Sequence, residues 1–319
     1  MTTSPPSDAY TIIHLPPCST EWAGIIAQFA LQVAARDGRS YAAWASERLI
    51  RATEAGEGLV ALSADGALLG LMIVEVVEQS AEMTLPWVVG GDQQLVCALA
   101  DAMRQILRER HPTLRFLRVE RQLLPGDAHT EGLQRSGFTC EWRSRMRLEL
   151  REWGGEAALP EGYRLVPWHI RYLDAAAGVV FRANEGTLDA QLYAPFFGES
   201  PAQCRRGLLA ILVGKFGPLN LQATCCAMVG ETLVGVNILI DEGSELSSVV
   251  EISVDPAHQR QGVGRALMAQ SLTTLRAAHV ATVELAVTQA NARAVQLYTT
   301  LGFTEAGRFP VCIWPADPW

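Results

Sequence analysis

Gly137-Phe138-Thr139 returns as Gly302-Phe303-Thr304, and Leu68-Leu69-Gly70 returns as Leu233-Val234-Gly235, both at an offset of 165 residues. Two landmarks at one spacing point to a single fold used twice. Tyr10-Thr11-Ile12-Ile13 and Tyr163-Arg164-Leu165-Val166 read as the two opening strands, at an offset of 153. The second copy therefore carries about 12 extra residues, placed within Gly198 to Asn220. A chain of 319 residues suits two domains with a core each. The expected division is 1–150, a linker over 151–161 punctuated by Gly154-Gly155 and Pro160, and 162–319.

Each copy opens with a strand and a helical stretch, Trp22 to Ala35 in the first and Ile170 to Phe181 in the second. A hairpin follows: Leu59–Ser63 turning at Asp65-Gly66 into Leu68–Val77, and Ala223–Val229 turning at Gly230-Glu231 into Leu233–Ile240. The second copy continues with a strand at Val249–Val254 and a helix from about Gly262 to Ala277. The stripe Val263, Ala266, Leu267, Leu272 and Leu275 supports that helix. A strand at Thr282–Val287, a helix at Asn291–Thr300 and a last strand after Gly302 complete it. The fold class is α/β (α+β): two tandem domains, each a mixed, mostly antiparallel sheet flanked by helices.

The formal charge of −8 speaks against a nucleic-acid partner, since phosphate binding needs a basic patch. No apolar run reaches the roughly 20 residues of a membrane helix. Met1 to Asp8 lacks the basic and apolar regions of a secretory signal. The seven cysteines show no metal-type C-x-x-C spacing, and Cys225-Cys226 read as buried thiols. The expectation is a metal-free cytoplasmic protein; its oligomeric state stays open.

Chemistry concentrates between Val254 and the following helix, in Asp255-Pro256-Ala257-His258-Gln259-Arg260-Gln261-Gly262-Val263-Gly264-Arg265. Pro256 ends the strand because it has no N–H for the ladder. Gly262 and Gly264 let backbone approach a ligand closely at a helix start, where free N–H groups and the helix dipole attract anions. Arg260 and Arg265 add charge at the rim. A plain tight turn gives a similar pattern. A dinucleotide-binding turn does not fit, because Leu267 stands where the third glycine belongs.

The context is more specific. Val254-Asp255-Pro256 precedes the turn, Asn291 and Tyr298 stand on the next helix, and Leu301-Gly302-Phe303 closes it. From Val249 to Phe309 the sequence resembles the GNAT superfamily of N-acetyltransferases, and more loosely over the rest of the second half. The two-copy arrangement is similar to tandem members of that superfamily. The resemblance implies acetyl-CoA as co-substrate, its pantetheine arm lying between two parted strands. It implies that the backbone of Ile252, Ser253 and Val254 pairs with that arm, and that an N–H near Ile252 or Ser253 polarises the thioester. Gln259, Arg260, Gln261, Gly262, Val263, Gly264 and Arg265 would cradle the diphosphate, with Asn291 on the arm. Tyr298 would protonate the leaving thiolate.

The acceptor would be a small-molecule amine or a peptide N-terminus; a non-catalytic acyl-CoA-binding module is the alternative. Strand alternation puts Val249, Glu251 and Ser253 on one face, so Glu251 is the candidate base, with Glu284 on the neighbouring strand as a rival. His258 is expected to be exposed. In the first copy the 165-residue offset puts Cys97 and Leu99 at the two glycines, Gly126 at Asn291 and Leu133 at Tyr298. The expectation is a first domain that keeps the fold without the cofactor site, and helps to shape the acceptor cleft. The stretch Gly198 to Asn220 is a candidate wall of that cleft.

Overall fold

The computed structural model describes residues 10–37, 39–77, 80–119, 129–155, 158–193 and 200–315. It divides into two compact units, one formed by Met1–Glu141 with Phe309–Trp319 and the other by Trp142–Arg308. Gly126 and Gly198, named above, lie outside the described residues.

The first unit runs β1 (Thr11–Leu15), α1 (Trp22–Asp37), α2 (Arg39–Ala55), β2 (Glu57–Leu62), β3 (Leu68–Val77), β4 (Ser80–Val88), α3 (Gln93–Arg110), β5 (Phe116–Val119) and α4 (Thr130–Arg135). The sheet order β1-β2-β3-β4-β5 is antiparallel except for the parallel β4–β5 pair. Phe29, Leu49, Ile73 and Trp87 build the core under α1 and α2. Leu99, Met103, Leu117 and Leu133 build a second core under α3 and α4. A further strand, β6 (Thr139–Glu149), begins here and passes into the second unit.

The second unit continues with β7 (Tyr163–Pro167), α5 (Leu173–Asn184), α6 (Leu188–Leu192), α7 (Pro201–Leu212), β8 (Cys225–Val229), β9 (Thr232–Asp241), β10 (Leu246–Val254), α8 (Val263–Ala277), β11 (Thr282–Thr288), α9 (Ala292–Thr300) and the start of β12 (Thr304–Pro315), which passes back into the first unit. Its sheet order is β7-β8-β9-β10-β11-β6. Helices α5 and α7 pack on one face through Val179, Val180, Cys204 and Leu208. Helices α8 and α9 pack on the other through Met268, Leu272, Leu275, Tyr298 and Leu301. Each such buried leucine contributes about 1.5–3 kcal/mol.

The units do not follow the chain order expected from 1–150 and 162–319. The last strand of each repeat is exchanged. β6 pairs with β11 of the second repeat from Thr282↔Glu149 to Thr288↔Arg143. β12 pairs with β5 of the first repeat, Cys312 opposite Val119. Cys140 and Cys312 are joined by a disulfide within the first unit. Cys225 and Cys226 are buried free thiols.

Among the described residues, no helix is long and apolar enough to cross a membrane and no group of three His, Cys, Asp or Glu could hold a metal. The second repeat's additional length holds α7, whose Cys204 and Leu208 are buried against α5.

Two contacts set the orientation of the helices that matter below. Ser271 Oγ on α8 donates to the Ala223 carbonyl at 2.7 Å and accepts from Asn237 Nδ2 at 2.8 Å, which fixes the rotation of α8 over β9. Gly302 ends α9 at φ 96°, where the Phe303 N–H donates to the Tyr298 carbonyl. A Cβ there would also meet Leu148 Cδ1 at 3.3 Å. Gly302→Ala is therefore expected to lower stability by about 1 kcal/mol, read as a reduced denaturant midpoint at unchanged slope.

Candidate functional site

β10 and β11 run parallel and paired only from Leu246↔Thr282 to Val249↔Leu285. Beyond Val249, β10 stays with β9 as far as Val254↔Gly235, and β11 stays with β6 as far as Thr288↔Arg143. The two strands thus part, and each leaves an edge without a strand partner. The Asp255 N–H donates to the Val234 carbonyl. By alternation Ser253 also faces β9, whereas Ile252 and Val254 turn their backbone groups into the gap. The Gln289 N–H donates to the Trp142 carbonyl, so Ala286 and Thr288 face the gap from the other side.

A β-bulge at Val250 sits where the parting begins. It inserts one residue, so Val249 packs with the α8 face while Val250 packs with the α5 face. Glu251 and Ser253 then lie with Val250, and not with Val249 as unbroken alternation implied. The bulge re-aims the carboxylate. Glu251 accepts from Ser253 Oγ at 2.6 Å. It is surrounded by protein but keeps an opening to the cleft, and burial pushes its pKa up to about 7. The Ser253 hydrogen bond opposes that rise, Asp189 adds to it, and Arg143 opposes it.

Tyr298 lies on α9, on the opposite face of the sheet. It is buried and packs edge-on to Phe303. Among the described residues its hydroxyl has no hydrogen-bond partner. Burial raises its pKa well above the usual phenol value, and the charges of Glu251, Arg143 and Asp189 all act on it. The rival Glu284 is paired with Arg147 across β11 and β6, a satisfied strand carboxylate.

At the far end of the gap the turn is pre-built. Asp255 takes the Ala257 N–H and an ion pair from Arg182. Gln259 Nε2 donates to the Val254 carbonyl at 2.9 Å. The Tyr163 hydroxyl bridges His258 Nδ1 and Gln261 Oε1, both at 2.8 Å. His258 is thus a clamped, half-buried residue and not the exposed one expected. Arg260 and Gly262 adopt left-handed backbone, φ 59° and 87°. Gly262 is the N-cap of α8 and supplies no side-chain acceptor. The N–H groups of residues 260–265 find no acceptor among the described residues, which leaves a concave row of donors at a helix start. A Cβ on Gly264 would make only ordinary contacts, to Val254 Cγ2 at 3.7 Å and Leu297 Cδ2 at 3.8 Å, so a side chain fits there without a clash. Arg265 is tied to Thr300 Oγ1.

Asn291 caps α9 by accepting the Ala294 N–H, and its Nδ2 reaches Asp189. A cavity of about 180 Å³ lies beside α8, lined by Arg265, Thr300 and Gly302 but by neither Glu251 nor Tyr298; it is separate from the gap between the strands.

Residues 195–303 match the family model described as the acetyltransferase (GNAT) family. The ribosomal protein bS18-alanine N-acetyltransferase of Escherichia coli (strain K12) is 44% identical over 88 residues, which is 28% of this chain and 56% of that protein. The chain thus spans little more than half the length of this relative. Residues 195–303 are thus similar to the GNAT family. The whole chain has the tandem GNAT fold. A tandem GNAT protein from the clavulanic acid biosynthesis pathway superposes at TM-score 0.52 with 16% identity, covering 97% of this chain and 99% of its own. A GCN5-related N-acetyltransferase from Sphaerobacter thermophilus superposes at TM-score 0.59 with 14% identity, covering 95% of each chain.

Three residues of the GNAT unit's cleft were missed in the sequence. Arg143 comes from β6 of the first repeat, and its Nη2 donates to the Ala286 carbonyl at 2.6 Å. Its guanidinium lies 4.7 Å from the ring centroid of Tyr193. Asp189 on α6 accepts from Thr288 Oγ1 and Asn291 Nδ2. Nothing in their local sequence marks them; only the exchanged strand and the packing of α6 bring them here.

The first unit also corrects an expectation. Its α3 begins at Gln93, so Cys97 and Leu99 lie a full turn inside the helix and cannot face a ligand at its start. A pair of glycines, Gly90-Gly91, does precede the helix. What differs is Asp92, whose carboxylate accepts the N–H groups of Gln94 and Leu95. The protein's own anion occupies the helix start that Gly262 leaves open. Leu133, in the place of Tyr298, is buried core.

Two outcomes follow for the GNAT unit. Gly264→Asp puts a carboxylate in the donor row but favours the helix dipole, so melting temperature should hold or rise while acetyl-CoA affinity by calorimetry falls at least about tenfold. Glu251→Gln tests the buried carboxyl. The folded pKa lies above the unfolded value of 4.5, so ionisation destabilises the fold from there upward and fully above about 7. The Gln variant should melt higher than the parent at about pH 8, with the difference closing towards about pH 4.5.

Proposed function

We propose that the second unit transfers an acetyl group from acetyl-CoA to a primary amine by direct attack in a ternary complex. The observation that carries this reading is the parting of β10 and β11 beside the open row of amides at the start of α8, with Glu251 on one face of the sheet and Tyr298 on the other. Bound acetyl-CoA would supply an acyl group already activated as a thioester. The amides of Gln259, Arg260, Gln261, Gly262, Val263, Gly264 and Arg265 would hold its diphosphate, with the Arg260 and Arg265 side chains at the rim. The gap-facing backbone of Ile252 and Val254, with Ser253 between them, would pair with the pantetheine amides. The Ile252 N–H is the donor placed to polarise the thioester carbonyl. Asn291 would hold the start of α9 against the arm.

Glu251 takes a proton from the amine as the C–N bond forms. Tyr298 gives its proton to the sulfur, which leaves with the electron pair of the broken C–S bond. Return of the proton from Glu251 to Tyr298 through solvent closes the cycle. A pKa of about 7 suits a base that must accept and release a proton near neutrality. Tyr298 stays protonated across that range and is ready to donate. Cys204 lies close enough to feel the charge of Glu251, but burial pushes its thiol up to about 11, which disfavours a covalent relay.

The acceptor is a small-molecule amine or a peptide N-terminus. The relative named for bS18 alanine acetylation supports the latter class as one option. The first unit, its helix start closed by Asp92, is proposed as a non-catalytic partner within the chain.

With a panel of amines and acetyl-CoA, kcat/KM should rise with pH through about 7, because Glu251 acts deprotonated. Tyr298→Phe should lower kcat by about 100-fold or more with acetyl-CoA affinity nearly unchanged. Acetyl-CoA binding without thiol release from any amine would instead leave an acyl-CoA-binding module.

A further inference from the structure

The face of the sheet that carries Glu251 also carries Arg143, a cation that pairs with no carboxylate among the described residues. Arg143 forms no ion pair with a described residue, although two carboxylates are near enough for its charge to matter to the site. Asp189 is satisfied by Thr288 and Asn291, and Glu251 by Ser253. The guanidinium has one neutral hydrogen bond, to the Ala286 carbonyl at the gap edge, and its Nε is buried without a partner. The guanidinium also lies over the Tyr193 ring, a cation–π contact. A partly desolvated cation without an anion is unfavourable, and a ligand anion relieves that. A planar guanidinium already fixed on a ring loses little freedom on binding a carboxylate.

We infer that Arg143, lent by the last strand of the first repeat, is a specificity-determining residue that receives a carboxylate on the acceptor. The favoured acceptor is then a primary amine bearing a carboxylate a few bonds away, as in a free amino acid. The amine end faces Glu251 and Asp189, and the acid end faces Arg143. A dianionic phosphate or phosphonate fits less well, because the same two carboxylates repel its second charge. The inference rests on the acetyl-transfer reading above.

The test uses the full-length chain with acetyl-CoA and matched amines: alanine against alaninamide, and glycine against aminomethylphosphonate, with thiol release as the readout. The expected result is a kcat/KM for alanine about 30-fold or more above that for alaninamide. Arg143→Gln should bring that ratio near one by raising KM for alanine, and Arg143→Lys should keep part of it. Equal use of alanine and alaninamide by the parent protein overturns the inference, and this holds even if the Gln variant fails to fold. A Gln variant that loses both substrates in the same proportion also overturns it, as does aminomethylphosphonate outpacing glycine. Absence of thiol release from every amine, with acetyl-CoA still bound, removes the transfer reading itself and this one with it.

Discussion

The second unit depends on two parallel strands that cannot stay together. β10 and β11 share a ladder for four residues and then follow different neighbours, β9 and β6. Backbone groups on both edges are left facing a gap without a strand partner, and side chains satisfy only some of them, Gln259 at the Val254 carbonyl and Arg143 at the Ala286 carbonyl. The bulge at Val250 coincides with the parting and turns Glu251 toward the α5 face. One irregularity therefore opens the binding slot and aims a carboxylate at it. Tyr298 enters from the α9 face, and the donor row at the start of α8 lies at the slot's end.

The contrast between the two units rests on what stands at one helix start. Both place a sheet strand, a glycine-containing turn and a long helix in succession. In the first unit Asp92 supplies its own carboxylate to the helix amides. In the second, Gly262 supplies none and takes a left-handed backbone that leaves the amides open. A single side chain thus decides whether an anion site remains. The exchange of β6 and β12 gives the first repeat a second part to play: its last strand runs into the second unit and brings Arg143 there.

Much of this was legible in the sequence where local chemistry decides. The 165-residue offset, the hairpins around Asp65-Gly66 and Gly230-Glu231, and the apolar stripe of α8 all reflect nearest-neighbour periodicity and turn residues. The glycine-paired turn was visible for the same reason. The bulge was not, because one inserted residue carries no composition signal, and it moved Glu251 to the face opposite Val249. Offset arithmetic paired Cys97 and Leu99 with the two glycines, whereas a shift of several residues makes Asp92 the counterpart of Gly262 as helix cap. Arg143, Asp189 and the Cys140–Cys312 disulfide depend on strand exchange and long-range packing, which no local pattern encodes.

Hydrogen exchange of backbone amides, with and without acetyl-CoA, tests the central claim most directly. The account predicts new protection at residues 252–254 and 260–265 and none at residues 93–97. Protection confined to the start of α3, or no change in either unit, would contradict it.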